Sequence, residues 1–261
     1  MLRTFQIHWL EYLIEATGLG AFMMLAGLFS TLLYADASPL PQLLPSPFGR
    51  RILMGIAMGL TAIALIYSPW GKRSGAHINP AVTLAFFRLG KLTRCDTLFY
   101  ILAQFIGGWL GILTTATILG EFFTRAPVNY IITIPGSQGW LTALVTELLM
   151  SFGLMLTVLI ASNHSHLSRY TGIFSGGLVA IFITFAAPIS GMSINPARTF
   201  ASALPAGVWT AFWIYYFGPP LAMLAAAEVY QKMTQRAPRD LCGKLCPNSD
   251  TPCPCIDCPC I

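Results

Sequence analysis

Residues 74–84 read Ser-Gly-Ala-His-Ile-Asn-Pro-Ala-Val-Thr-Leu, and residues 190–200 read Ser-Gly-Met-Ser-Ile-Asn-Pro-Ala-Arg-Thr-Phe. Both contain Ser-Gly-x-x-Ile-Asn-Pro-Ala, and each follows a long apolar segment. Asparagine is a strong helix N-cap because its side-chain oxygen accepts from an otherwise orphaned backbone N–H. Proline suits the first helical position, where its missing N–H is not needed. Asn79 and Asn195 therefore each open a short helix, expected to end near Arg88 and Leu204. At 1.5 Å per residue such a helix is about 15 Å long, roughly half a hydrocarbon core. Two half-helices in corresponding places of the two halves of a chain point to a membrane transport site.

The surrounding chain is apolar. Of 261 residues, 55% are hydrophobic and 10% charged, and mean hydropathy is +0.66. Soluble domains carry about 25% charged residues, so this is the composition of an integral membrane protein. Apolar runs cover residues 9–34, 52–69, 97–119, 140–161, 171–189 and 208–230, each near the roughly 20 residues that cross a bilayer as a helix. They are continuous rather than alternating, which excludes a β-barrel. The first run is too long for a signal-peptide core and lacks a clear cleavage site, so it is expected to remain as the first span.

Each half then reads span, span, half-helix, span. Three spans per unit is an odd number, so the second unit enters from the opposite face. The expected fold is all-α: six transmembrane helices plus two re-entrant half-helices in an inverted repeat. Residues 1–119 and 140–232 form the repeats, 120–139 the connecting loop and 233–261 a tail rich in cysteine. Residues 35–51, with Pro39, Pro41, Pro45 and Pro47, read as an outer linker without regular structure. Gly107, Gly108 and Gly111 in the third span, and Gly172, Gly176 and Gly177 at the start of the fifth, are placed for close helix approach.

The net charge of +5 is explained by topology and calls for no nucleic-acid partner. With a cytoplasmic N-terminus, Arg3, Lys72, Arg73, Arg88, Lys91, Arg94, Arg169, Lys232, Arg236, Arg239 and Lys244 fall inside. Only Arg50, Arg51 and Arg125 fall outside, and Arg198 lies within the membrane. This bias puts both termini in the cytoplasm, and the plasma membrane is the expected location.

Glu15 and Glu147 occupy matching places in the first and fourth spans. An intramembrane carboxylate is costly. A proton relay is one use; the favoured one is to accept hydrogen bonds from backbone N–H groups of the non-helical loop before each half-helix, which must be satisfied inside the protein. If the half-helices meet end to end, each Asn oxygen caps its own helix and the Asn NH₂ donates into the lumen.

On the paired boxes Asn79-Pro80-Ala81 and Asn195-Pro196-Ala197, the second followed by Arg198, the chain resembles the major intrinsic protein family of aquaporins and aquaglyceroporins. The likeness spans roughly residues 8–232. It implies a homotetramer in the lipid bilayer with one pore per protomer, passing water and small neutral solutes without catalysis or a required cofactor. It places Arg198 at the outer constriction with Ile183, Met192 and either Met58 or Gly59, an apolar filter but for the guanidinium. Snorkelling for Arg198, and plain packing for Met58 and Ile183, are the alternatives. Water-selective relatives carry an aromatic residue and a histidine in this filter, and this chain has neither. Thr199 and Ala203 resemble water channels, whereas Tyr215 and Tyr216 lean toward the nodulin-26-like branch, which passes glycerol, boric acid and metalloid hydroxides. The expected function is thus a channel for water and small uncharged solutes, with a strictly water-selective aquaporin as the alternative.

Cys242, Cys246, Cys253, Cys255, Cys258 and Cys260 cluster in the tail. In a reducing cytoplasm these thiols stay free, and their spacing suits a soft metal or a trivalent metalloid. A palmitoylated or ligand-free tail is the plainer reading. A membrane-anchored metal sensor acting through the tail is a reading of another class, and it leaves the paired boxes unexplained. His164 and His166 form an imidazole pair in an inner loop, more simply solvated than metal-binding. His77 is either a pH-sensing or a satisfied loop residue.

Overall fold

A computed structural model of the chain describes residues 1–235, 237, 240–248 and 250–251. All regular elements among them are helical: α1 (Leu2–Tyr34), α2 (Leu40–Leu43), α3 (Pro47–Tyr67), α4 (Pro69–Ser74), α5 (Pro80–Arg88), α6 (Arg94–Leu119), α7 (Glu121–Thr124), α8 (Gly139–Ser162), α9 (Thr171–Ser190), α10 (Pro196–Ala206) and α11 (Phe212–Thr234), with single 3-10 turns at Asn129–Ile131 and Ser168–Tyr170. The helix starts follow local chemistry. Ser46 and Ser68 accept from Gly49 N and Gly71 N, each followed by proline at the first helical position, and Thr93 accepts from Asp96 N.

The first span begins earlier than its apolar run, at Leu2, with a break in helical geometry at His8. Residues 35–51 are not irregular throughout: α2 and the first turn of α3 lie there. Pro39, Pro41 and Pro47 sit at helix starts, where proline is tolerated, so a proline-rich stretch did not mean an absence of helix. Five helices, α1, α3, α6, α8 and α9, are long and apolar enough to cross a membrane. The expected sixth span, α11, has the length at 23 residues, but Tyr215, Tyr216, Pro219, Pro220 and Glu228 dilute its apolarity.

The long helices pair as α1 with α6, α3 with α9, and α8 with α11. The half-length helices cross between the halves: α5 packs on α11 and α10 on α6. Glycine makes the closest crossings. A Cβ on Gly107 would lie 2.0 Å from the Ala16 carbonyl oxygen, one on Gly111 2.4 Å from that of Gly20, and one on Gly176 2.5 Å from that of Gly59. Gly177 departs from expectation, since a Cβ there would meet nothing within 4 Å. The outer surfaces of the spans carry exposed Leu28, Leu60, Ile106, Leu110, Leu149, Phe185 and Leu221, a surface suited to acyl chains rather than to water.

Candidate functional site

The two Ser-Gly-x-x-Ile-Asn-Pro-Ala stretches fold alike. Asn79 Oδ1 accepts from Ala81 N at 2.9 Å, and Asn195 Oδ1 accepts from Ala197 N at 3.0 Å and Arg198 N at 3.2 Å. Pro80 and Pro196 take the first helical positions, and Ala81 and Ala197 are fully buried behind them. The asparagine amides do not simply face the lumen. Asn79 Nδ2 donates to the Ile194 carbonyl at 2.8 Å, and Asn195 Nδ2 donates to the Ile78 carbonyl at 2.9 Å. One N–H of each amide is thus spent across the seam between the boxes, and each retains one more.

The loops before the half-helices alternate in handedness. Ala76 and Ile78 in the first, and Met192 and Ile194 in the second, have positive φ between 39° and 54°. Side chains avoid this region, so something must hold the loops there. In the first, Glu15 accepts from Ser74 Oγ at 2.7 Å, His77 N at 3.0 Å, Ile78 N at 2.6 Å and Gln104 Nε2 at 2.7 Å. In the second, Glu147 accepts from Ser190 Oγ at 2.7 Å, Ser193 N at 2.9 Å and Ile194 N at 2.7 Å. Both carboxylates are wholly buried. The hydroxyls of Tyr100 and Tyr215 each donate at 2.7 Å to the carbonyls of Ser74 and Ser190. The two supports match, bond for bond, at their centre.

Between the helices runs a cavity of about 470 Å³. Asn79, Asn195, Met58, Ile183, Met192 and Arg198 all line it. Of the two candidates on α3, Met58 faces the cavity, while Gly59 lies against the backbone of Gly176 on α9. Arg198 is tied to acceptors within the protein. Its Nη1 donates to the Ile131 carbonyl at 3.0 Å and to Thr133 Oγ1, both in the segment that joins the halves. Sequence reading missed that segment's part in the site. Nothing local in the sequence marks it; Thr133 is buried there and also contacts Thr199 Oγ1 at 3.1 Å. It missed Arg51 and Leu245 as well, which line the same cavity.

His77 is a satisfied residue: Nδ1 lies 3.2 Å from Thr83 Oγ1 and Nε2 lies 3.0 Å from the Gly243 carbonyl oxygen. The His164 and His166 rings sit 5.9 Å apart in an exposed loop. In the tail the expectation of free thiols needs correcting at Cys242, which is in a disulfide. Its sulfur is therefore not available as a thiolate ligand. Cys246 is free and buried. Cys253, Cys255, Cys258 and Cys260, along with Arg236 and Arg239, lie outside the described residues.

Six long helices packed with two half-length helices, whose capping asparagines are joined on the wall of a cavity, define a polytopic membrane protein of the half-helix class. The chain belongs to the major intrinsic protein family, whose model matches residues 7–230. It is similar to "Aquaporin NIP2-2" of Zea mays, 36% identical over 177 residues, which cover 67% of this chain and 58% of the maize protein. It is also similar to "Probable aquaporin NIP-type" of Nicotiana alata, 35% identical over 200 residues, covering 74% of this chain and 72% of that one. The match therefore spans under two thirds of the maize relative's length. In fold it resembles the aquaglyceroporin from Plasmodium falciparum, with a TM-score of 0.70 at 20% identity over 87% of this chain and 97% of that chain.

Proposed function

We propose that this protein is a passive membrane channel for water and small uncharged solutes, glycerol-like polyols and metalloid hydroxides among them, that excludes protons and ions. The observation that carries this reading is the pair of asparagines. Each caps a half-helix and keeps one N–H beyond the seam, on a wall of the same cavity. Two such donors address the oxygen of one passing water, which then cannot accept along the file, so a proton wire is interrupted. The positive ends of α5 and α10 converge there and oppose cations. Arg198, held by Ile131 and Thr133, adds a fixed charge and free donors at the constriction. Met58, Ile183 and Met192 supply an apolar wall that tolerates a carbon skeleton. No bond is made or broken, so the protein is not an enzyme and the passage needs no cofactor.

We further propose that residues 1–119 and 140–232 are inverted repeats, that both termini face the cytoplasm of a plasma-membrane protein, and that the assembly is a homotetramer. The matched glutamates, tyrosines and caps support the repeat, and the lysine and arginine bias supports the orientation. Family membership supports the tetramer.

Stopped-flow light scattering on proteoliposomes tests the selectivity. After an impermeant osmolyte, shrinkage faster than that of empty vesicles is expected. In glycerol and urea gradients, shrinkage followed by assisted reswelling is expected. Ile183→His, which narrows the wall, should cut glycerol flux while leaving water flux. Unassisted reswelling in the unaltered protein would make it a strictly water-selective aquaporin instead.

A further inference from the structure

The tail does not trail away from the bundle. Leu241 and Leu245 are 1% and 6% exposed, and Lys244 and both described cysteines are buried. Leu241, Leu245 and Cys246 belong to the same apolar cluster as Met58, Ile66, Ala76 and Val158. Leu245 lines the same cavity as Asn79 and Arg198, beside Ile66, Ala76 and His77 at the end that bears α4. With the orientation above, this is the cytoplasmic mouth.

The segment is fastened on both sides of that mouth. Leu245 N donates to the Gly75 carbonyl at 3.0 Å, and the Gly243 carbonyl faces His77 Nε2 at 3.0 Å. Asn248 Nδ2 and Thr251 Oγ1 donate to the Lys72 carbonyl at 3.1 Å and 3.0 Å. Across the opening, Cys242 N donates to Asn163 Oδ1 at 2.8 Å, at the end of α8. The fit extends to the box itself: Gly75 has φ +96°, and a Cβ there would lie 3.3 Å from the Gly243 carbonyl oxygen.

We propose that residues 240–248 are an autoinhibitory plug, a built-in segment that closes the cytoplasmic mouth by seating Leu245 in it. The inference rests on the channel reading. A leucine side chain offers a water file no hydrogen-bond partner among the lining residues Ile66, Ala76 and His77. The peptide groups that hold it are spent on the mouth itself, Leu245 N on the Gly75 carbonyl, the Gly243 carbonyl on the His77 ring and Cys242 N on the Asn163 side chain. Conduction through this end then requires the segment to leave.

The test compares the full-length protein with the full-length Leu241→Gly/Leu245→Gly double variant and with Asn163→Ala in proteoliposomes. Water permeability is read by stopped flow, and tryptic cleavage after Lys244 reports release of the segment. Loss of two buried leucines should raise permeability by roughly tenfold or more. Asn163→Ala, which removes one anchor, should raise it less. Cleavage after Lys244 should be slow in the unaltered protein and fast in the double variant. Equal permeability with Lys244 freely cleaved in the variant overturns the plug, as does immediate cleavage at Lys244 in the unaltered protein. Water flux no greater than that of empty vesicles, even from the cleaved double variant, overturns instead the channel reading beneath it.

Discussion

Single residues hold the two boxes, and the heaviest duty falls on the buried carboxylates. Removing Glu15 by alanine takes the carboxylate acceptor from His77 N, Ile78 N and Ser74 Oγ, and leaves Gln104 Nε2 only Thr83 Oγ1. Each unsatisfied buried donor costs about 1–3 kcal/mol. Glu15→Ala is therefore expected to lower the unfolding temperature of the detergent-purified protein severely. Glu15→Gln, which keeps one acceptor oxygen, should lower it less. A proton relay would predict a different outcome, altered proton leak with little change in stability. Asn79→Ala loses a cap and a cross-seam bond, about 2 kcal/mol together, and a thermal scan should show the same order of loss for Asn195→Ala. In the tail, burial pushes the Cys246 thiol up, against the opposing pull of Lys72 and Lys244. The seated form thus favours the neutral thiol. That contribution is intact below the ordinary thiol value of about 8.5 and fades as pH rises through the elevated one. Alkylation of Cys246 followed by mass spectrometry should accordingly be slow at pH 7.5 and quicken in alkali.

At the scale of helices, close approach decides what substitutions the fold tolerates. Gly107→Val places carbon 2.0 Å from the Ala16 carbonyl oxygen and forces α1 from α6, a loss of at least about 1–3 kcal/mol. Gly177→Ala meets nothing within 4 Å and should be neutral or stabilising by about 0.5–1 kcal/mol through helix propensity. Melting temperatures of the two variants side by side would check the contrast. Both glycines looked alike in sequence, because spacing along one helix does not say which face meets a neighbour. The same limit explains the other differences. Half-helix starts were legible at Asn79 and Asn195 because capping is local chemistry. The ends were less so, since α10 runs on to Ala206, with Gly207 in the left-handed region just beyond it. α2 was hidden by prolines that mark helix starts as readily as breaks. Arg198 was visible as a charge at membrane depth, but its partners Ile131 and Thr133 lie far off in the chain, in a loop without periodicity. The disulfide at Cys242 was not legible at all, since compartment and composition argued for free thiols.

For the whole molecule, the mouth and the tail make one testable system. Dithiothreitol supplies two electrons and two protons to the Cys242 disulfide, giving two protein thiols and its own cyclic disulfide. One constraint on the segment is then gone. Water permeability of the unaltered protein should rise severalfold on reduction, whereas that of the Leu241→Gly/Leu245→Gly variant should not respond. The rate of osmotic shrinkage with and without reductant reads both.

The crossed bonds between Asn79 and Ile194 and between Asn195 and Ile78 have a consequence for biosynthesis. The ribosome completes the first box before any of its partners in the second exists. At roughly 5–20 residues per second the wait for residue 195 is about 6–23 seconds. Through that interval the Asn79 amide and the Ile78 carbonyl must be served by water or by the insertion machinery. The newborn first half is therefore a wet, unfinished structure, and the cavity wall dries into its final form only once the last third of the chain has entered the membrane.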